Sequence, residues 1–304
     1  MKKQNLNTAL LAILACLLWS TAFVGIKIGL QYARPLSFAG MRFMLAGLLL
    51  FPFCIRSGNY FKFLKTHFKL IVTVALFQTF FLYALFYTGM TLVTGAMAAI
   101  VTGSSPLISA VTAHILIPDD RLTPSKIISI GTGLLGVILI SFSRQPWSAA
   151  GLKECVGILL LLLCSTSSAL GNITVARYKK PVSSMTLTSA QIFLGGCFLM
   201  ILSLFLEGSP QLVYPLPFYP ALLWLSFISA AAFSIWFMLL KRPGVRVSQL
   251  NIWKFILPIF GATFAWLLLP EESPDIFSVI GMICVAVSII AFHYFSRNTG
   301  KMSS

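Results

Sequence analysis

Three basic side chains fall inside apolar runs: Arg42 in "MRFMLAGLLL", Lys254 in "NIWKFILP" and Lys27 in "FVGIKIGL". On insertion scales an ionisable group at membrane depth costs about 2.5–3.5 kcal/mol, so it marks a functional position unless it reaches water. Arg42 is six residues into its run from the outer side. Lys254 is seven residues past Val247, about 10 Å deep at the helical rise. Lys27 lies three residues from the end of its run, where snorkelling takes it to water. Trp19, Phe23 and Lys27 nevertheless stack at i, i+4 and i+8 on one face and are candidates to line an aromatic path.

No intramembrane acid opposes these cations. The seven acids (Asp119, Asp120, Glu154, Glu207, Glu271, Glu272 and Asp275) sit at or beyond the ends of apolar runs, and His67, His114 and His293 sit near edges. No buried carboxylate is therefore expected as a proton relay. Cations without an anionic partner point to a substrate bearing a carboxylate or another negative group, moved by facilitated diffusion or exchange.

Two prolines mark a second kind of position. Pro106 and Pro258 lie mid-run, where proline removes one backbone bond and clashes with the carbonyl four residues earlier, that of Thr102 or Lys254. Irregular backbone at membrane depth is tolerated only against protein or a water-filled cavity. Ala99, Thr102, Pro106, Ser109 and Ala113 share one helical stripe, and Asn251, Lys254, Pro258, Gly261 and Ala265 share its counterpart. Small stripes also mark tight helix contacts. For the first stripe the two uses stand level; Asn251 and Lys254 tip the second towards a cavity wall.

The elements that must carry these residues follow from composition. Hydrophobic residues make up 58% of the chain, charged residues 10%, and mean hydropathy is +0.92, whereas soluble domains carry about 25% charged residues. Apolar runs at 6–30, 36–55, 70–90, 94–117, 125–142, 156–175, 185–206, 218–240, 247–269 and 276–295 predict ten membrane-spanning helices. The first is too long for a signal-peptide core and reads as an uncleaved span. The net charge of +15 is a matter of topology: with the N-terminus inside, sixteen Lys and Arg face the cytoplasm, three face outward and three lie within spans. Both termini are then cytoplasmic, and no nucleic-acid partner is implied. The six cysteines form no CxxC pair, and no cofactor or metal motif is present.

The chain repeats itself. A shift of 152 carries Pro106 to Pro258 and Pro118 to Pro270, so that "LIPDD" maps onto "LLPEE". Thr123-Pro124 and Ser273-Pro274 begin the next helix in each copy, and Gly131 and Gly281 follow. "CLLWSTAF" resembles "LLLCSTSS" at a shift of 145, and "RFMLAG" resembles "QIFLGG" at 149. Five spans per copy is an odd number, so the copies are inverted, an architecture of secondary transporters with the substrate site near the midplane between halves. The fold expected is an all-α membrane protein of ten transmembrane helices in two inverted five-helix repeats, at 6–142 and 156–295. A linker at 143–155 and a tail at 296–304 complete the chain. Asp119 and Asp120 on one side, and Glu271 and Glu272 on the other, precede the fifth and tenth helices, where the helix dipole favours negative charge by about 0.3–1 kcal/mol. Pairing with basic groups of the other half, as gates, is their sharper use. Asn172 and Gln191, the repeat counterparts of Lys27 and Arg42, are neutral, so the polar lining is asymmetric.

"WSTAFVGIKIGL", "MRFMLAGLLL" and a mid-helix proline followed by an acidic turn in each copy resemble the drug/metabolite transporter superfamily, in its EamA-type branch. Asp119-Asp120 and Glu271-Glu272 stand where that family has Gly-Glu; Arg121 and Leu122 fit its pattern in the first copy. The resemblance implies a bacterial inner-membrane permease without cofactor, exporting a small polar metabolite such as an amino acid by alternating access. Substrate-binding candidates are Trp19, Lys27, Arg42, Thr102, Asn172, Gln191, Asn251 and Lys254. Helix-break and gating candidates are Pro106, Pro258, Asp119, Asp120, Glu271 and Glu272. Export of drugs or hydrophobic cations, or a channel, are the alternatives. An enzyme would need a nucleophile with its base or a metal cluster, and no HExxH or GxSxG occurs. "GTGLLG" at 131–136 has the spacing for close helix contact, within the fold or in a homodimer.

Overall fold

A computed structural model describes residues 2–56, 59–93, 101–118, 120, 122–142, 151–211, 213–257, 259–260, 263–264 and 276–299. The regular elements among them are all helical: α1 (Lys2–Gly29), α2 (Pro35–Ile55), α3 (Tyr60–Thr66), α4 (Phe68–Val74), a π-helix (Ala75–Phe81), α5 (Leu82–Met90), α6 (Ser105–Leu116), α7 (Pro124–Phe142), α8 (Leu152–Arg177), α9 (Ser184–Leu206), α10 (Phe218–Leu240), α11 (Val247–Asn251), a 3-10 turn (Ile252–Phe255) and α12 (Ile276–Thr299). Five stretches are long and apolar enough to cross a membrane: Pro35–Ile55, Phe68–Met90, Leu152–Arg177, Ser184–Leu206 and Phe218–Leu240. Shorter apolar helices, Leu6–Ala22, Ser105–Leu116, Pro124–Leu139 and Val279–Phe292, fall within four more of the expected spans. The expected span 247–269 starts as α11 and the 3-10 turn, then runs mostly outside the described residues.

The chain divides into two compact units, Met1–Tyr87 with Leu170–Pro243, and Thr88–Ala169 with Gly244–Ser304. Each draws on both halves of the sequence. The first contains α1 to α4, the π-helix, α9 and α10, with parts of α5 and α8. Here α2 and α9 touch through glycine. A Cβ on Gly47 would stand 2.5 Å from Cβ of Phe193, and one on Gly196 would stand 2.6 Å from the backbone nitrogen of Met44. Only a hydrogen fits at either point, which lets the two backbones approach as membrane helices do when apolar burial against lipid supplies no driving force. A shift of 149 turns Gly47 into Gly196 and Met44 into Phe193, so each contact is the image of the other. Past the end of α9, the Glu207 carboxylate accepts from the amides of Leu36 (2.8 Å) and Ser37 (2.9 Å), satisfying free N–H groups at the start of α2.

In the second unit α7 packs on α12, and α6 on α11. Gly136 faces the Gly281 carbonyl, and Gly133 faces Ser288 and Phe255. Two glycines of "GTGLLG" are thus used inside the fold, while Gly131 meets nothing within 4 Å.

Candidate functional site

Arg42 is the most deeply placed cation of the first unit, 1% exposed in the middle of α2. Two serines of α10 hold it. Ser226 donates to the Arg42 carbonyl at 3.0 Å, and the Ser229 hydroxyl accepts from Nε at 2.9 Å while donating to Leu225. The guanidinium carbon lies 4.8 Å from the Phe43 ring centroid and 5.8 Å from that of Tyr83. Such cation–π contacts are worth about 2 kcal/mol when desolvated, which offsets part of the cost of burying the charge. The Tyr87 hydroxyl is buried beside the same guanidinium, close enough to interact with it electrostatically. Even so, neither Arg42 Nη1 nor the Tyr87 hydroxyl completes a hydrogen bond among the described residues. Trp19, on α1, packs against Phe233 and Trp236, which lie further along α10 than Ser229.

A second polar locus in this unit is built on the π-helix. Such segments are rare and gather at functional positions. This one presents two adjacent polar residues to two different helices. Gln78 Nε2 donates to Asn172 Oδ1 on α8 at 3.4 Å, and the Thr79 hydroxyl donates to Gln191 Oε1 on α9 at 2.8 Å. Glycines make the room: a Cβ on Gly171 would meet Gln78 Oε1 at 2.4 Å, and one on Gly195 would meet Thr79 Cβ at 2.4 Å. Gln78, Thr79, Asn172 and Gln191 are all fully buried or nearly so. Gln191 Nε2 and Gln78 Oε1 keep no partner among the described residues.

The second unit holds Thr102, Pro106, Asp120, Asn251 and Lys254. The backbone is irregular ahead of Pro106: Ser104 bonds back to Val101, and α6 begins at Ser105 with the proline in its first turn. Pro106, Ser109 and Ala113 are buried and Thr102 is half-buried. Asn251 is fully buried and donates to the Val247 carbonyl at 2.9 Å. The half-buried Lys254, on the 3-10 turn, donates to Ser168 on α8 at 3.3 Å, with the Cys164 thiol nearby. Lys254 is thus tethered to a hydroxyl, whereas Arg42 keeps a free donor.

Asp120 corrects two expectations. It is 2% exposed, so a carboxylate is buried after all. It acts on a different helix from the one that follows it, accepting from the Ser248 amide at 2.9 Å and from the Ser248 hydroxyl at the start of α11. Lys126, assigned from the sequence to the cytoplasmic side, is 1% exposed with Asp120 as a charged neighbour. The end of a helix is not the surface of the protein. The packing of α6 on α11 covers the carboxylate, and two hydrogen bonds with a nearby cation compensate its lost hydration. Asp119, Pro258, Glu271, Glu272 and the side chain of Lys27 lie outside the described residues.

Sequence reasoning missed Gln78, Thr79, Tyr87, Ser229 and Ser168. Gln78 left a signal, as the one amide in the third apolar run. The others are hydroxyl residues of a kind common in membrane helices, and nothing in their spacing separates them from neighbours such as Ser234.

The chain matches the EamA-like transporter family twice, over residues 6–142 and 156–293. An uncharacterized transporter of Bacillus subtilis (strain 168), YvbV, is 25% identical, covering 93% of this chain and 90% of its own length. An S-adenosylmethionine/S-adenosylhomocysteine transporter of Chlamydia muridarum is 23% identical over 94% of this chain and 90% of that protein. A probable amino-acid metabolite efflux pump of Escherichia coli (strain K12) is 28% identical over 86% and 87%. A crystal structure of another protein superposes with a TM-score of 0.81 at 17% identity, over 96% of this chain and 98% of that one. With its helices long and apolar enough for a bilayer and its two matches to one family, this chain is a membrane-spanning protein and belongs to the EamA-like transporter family.

Proposed function

We propose that the protein is a secondary transporter exporting a small carboxylate-bearing metabolite, an amino acid or a related compound, across the bacterial inner membrane. Its ten spans form two inverted five-helix repeats that work by alternating access, with both termini cytoplasmic. The exchange of the Gly47–Phe193 and Gly196–Met44 contacts under one sequence shift supports the inverted repeat. The observation that carries the substrate class is Arg42: a buried guanidinium whose contacts among the described residues include no carboxylate, with Nη1 left unsatisfied. A buried donor without a partner costs about 1–3 kcal/mol, more when charged, and an anionic substrate would remove that cost. S-adenosylmethionine, S-adenosylhomocysteine and amino-acid metabolites, in the names of two relatives, share an α-carboxylate with this requirement. A hydrophobic cation would meet repulsion at Arg42 instead.

The test is counterflow in proteoliposomes with a radiolabelled mixture of L-amino acids, comparing wild type with Arg42→Gln. Glutamine keeps a side-chain N–H for Ser229 and removes the charge. The expected result is accumulation by wild type, reduced at least about a hundredfold in the variant, in keeping with the loss of a buried charged contact. Equal accumulation by a correctly inserted variant would refute the anion reading. A steady unitary conductance would favour a channel.

A further inference from the structure

Two orphaned polar atoms meet at one buried place in the first unit, and they are of complementary origin. Arg42 Nη1 is a charged donor on α2, and the Tyr87 hydroxyl is a neutral donor on α5. Arg42 is 1% exposed and Tyr87 3%. Two donors side by side cannot satisfy each other well, because the hydroxyl has only its lone pairs to offer the guanidinium and then its own proton finds no acceptor. What completes both is an acceptor with two oxygens. A carboxylate fits: one oxygen takes Nη1–H, the other takes the phenolic O–H, and its single negative charge matches the single positive charge of Arg42.

The surroundings favour that class over a phosphate. Phe43, Tyr83 and the Tyr87 ring wall the guanidinium with apolar and aromatic surface, and the Phe43 and Tyr83 centroids are only 4.3 Å apart. A dianion here would keep one charge uncompensated in a low-dielectric setting, at a cost well above that of any hydrogen bond gained. Ser229 fixes the remaining degree of freedom by holding Nε, so the free edge of the guanidinium is oriented before anything binds.

We propose that the Tyr87 hydroxyl is the second donor of a carboxylate subsite whose first donor is Arg42 Nη1, and that this pair selects free carboxylic acids over their neutral amides. The inference rests on the anion reading of Arg42 and adds a residue and a selectivity to it.

Tyr87→Phe removes one oxygen atom and leaves the ring packing in place. Counterflow would be measured with two radiolabelled mixtures, free L-amino acids and the corresponding L-amino-acid amides, on wild type, Tyr87→Phe and Arg42→Gln. Thermal unfolding of each purified protein would be followed without ligand. The expected result for Tyr87→Phe is an apparent affinity for the free acids weakened about ten- to a hundredfold, as for a lost hydrogen bond to a charged group. Amide uptake should not change, and the unfolding midpoint should be equal to or above that of wild type, since the hydroxyl has no protein partner to lose. A lowered midpoint with unchanged affinity would make Tyr87 structural and overturn the proposal. Unchanged affinity in Tyr87→Phe with loss in Arg42→Gln would overturn the role of Tyr87 and leave the reading of Arg42 standing. Uptake of acids by Arg42→Gln equal to wild type, or none by wild type, would overturn both.

Discussion

Arg42 bonded to Ser229 and Gln191 bonded to Thr79 are the same contact made twice with different charge. Arg42 and Gln191 are 149 positions apart, Thr79 and Ser229 are 150 apart, and in each case a long polar side chain from α2 or α9 reaches a hydroxyl on a neighbouring helix. The neutral version shows what the fold requires at this position: one hydrogen bond to join the helices. Glutamine provides it at no electrostatic cost. The guanidinium provides the same bond and brings a buried charge with it, together with an aromatic wall and an unsatisfied Nη1. A charge in excess of what its structural twin needs is the mark of a position kept for binding.

The comparison breaks most sharply at Arg42 itself. If the neutral twin is a fair guide, Arg42→Gln folds and inserts normally yet loses transport of carboxylates by about a hundredfold or more, read by counterflow. A variant that failed to fold would show instead that the charge is structural. The helix contact beneath both sites gives the next largest effect. Gly47→Ala and Gly196→Ala each drive a methyl group into the opposing helix, and the losses in stability should be alike, about 1–3 kcal/mol each as for overpacked cores. Chemical denaturation in detergent would measure them, and strongly unequal losses would argue against two-fold equivalence.

Smaller changes sharpen the contrast. Gln191→Leu leaves the Thr79 hydroxyl without its acceptor and should cost about 1 kcal/mol of stability, with the apparent affinity for the free-acid mixture unchanged. A tenfold loss of that affinity would move the binding site to the neutral locus. The smallest effect belongs to Ser229→Ala, which frees Arg42 Nε. Membrane hydrogen bonds average about 0.6 kcal/mol, so the apparent affinity should weaken roughly threefold. An effect as large as that of Arg42→Gln would mean that orientation, more than charge, is what Arg42 supplies.

The two units also cap helices alike. Glu207, beyond α9, closes the start of α2, and Asp120, beyond α6, closes the start of α11. The expectation that acids serve the helix that follows them rests on proximity along the chain. In both cases the carboxylate reaches instead the N-terminus of a helix packed against its own, because antiparallel packing places one helix's end beside the other's beginning. Neighbouring charge then differs: Asp120 has Lys126 close by, while Glu207 is bonded to Ser203 as well as to two amides.

The spans, the internal repeat, the depth of Arg42 and the asymmetry between Arg42 and Gln191 were all legible in the amino-acid order. The reason is physical: a bilayer requires about twenty apolar residues per helix, and any departure from that pattern stands out. Most boundaries of the described helices fall within a few residues of the apolar runs. The π-helix at 75–81 was hidden, since its sequence, "ALFQTFF", satisfies an ordinary helical pattern. So was the partner of every polar side chain. Ser229 is 187 positions from Arg42, and Asp120 is 128 from Ser248. Those pairings depend on helix register, and register is decided by where glycines such as Gly47, Gly196 and Gly195 allow backbones and side chains to interlock. Sequence alone determined that a charge lies in the membrane; only the tertiary structure decided that it is tethered at Nε, walled by aromatic rings and left with a free donor beside Tyr87.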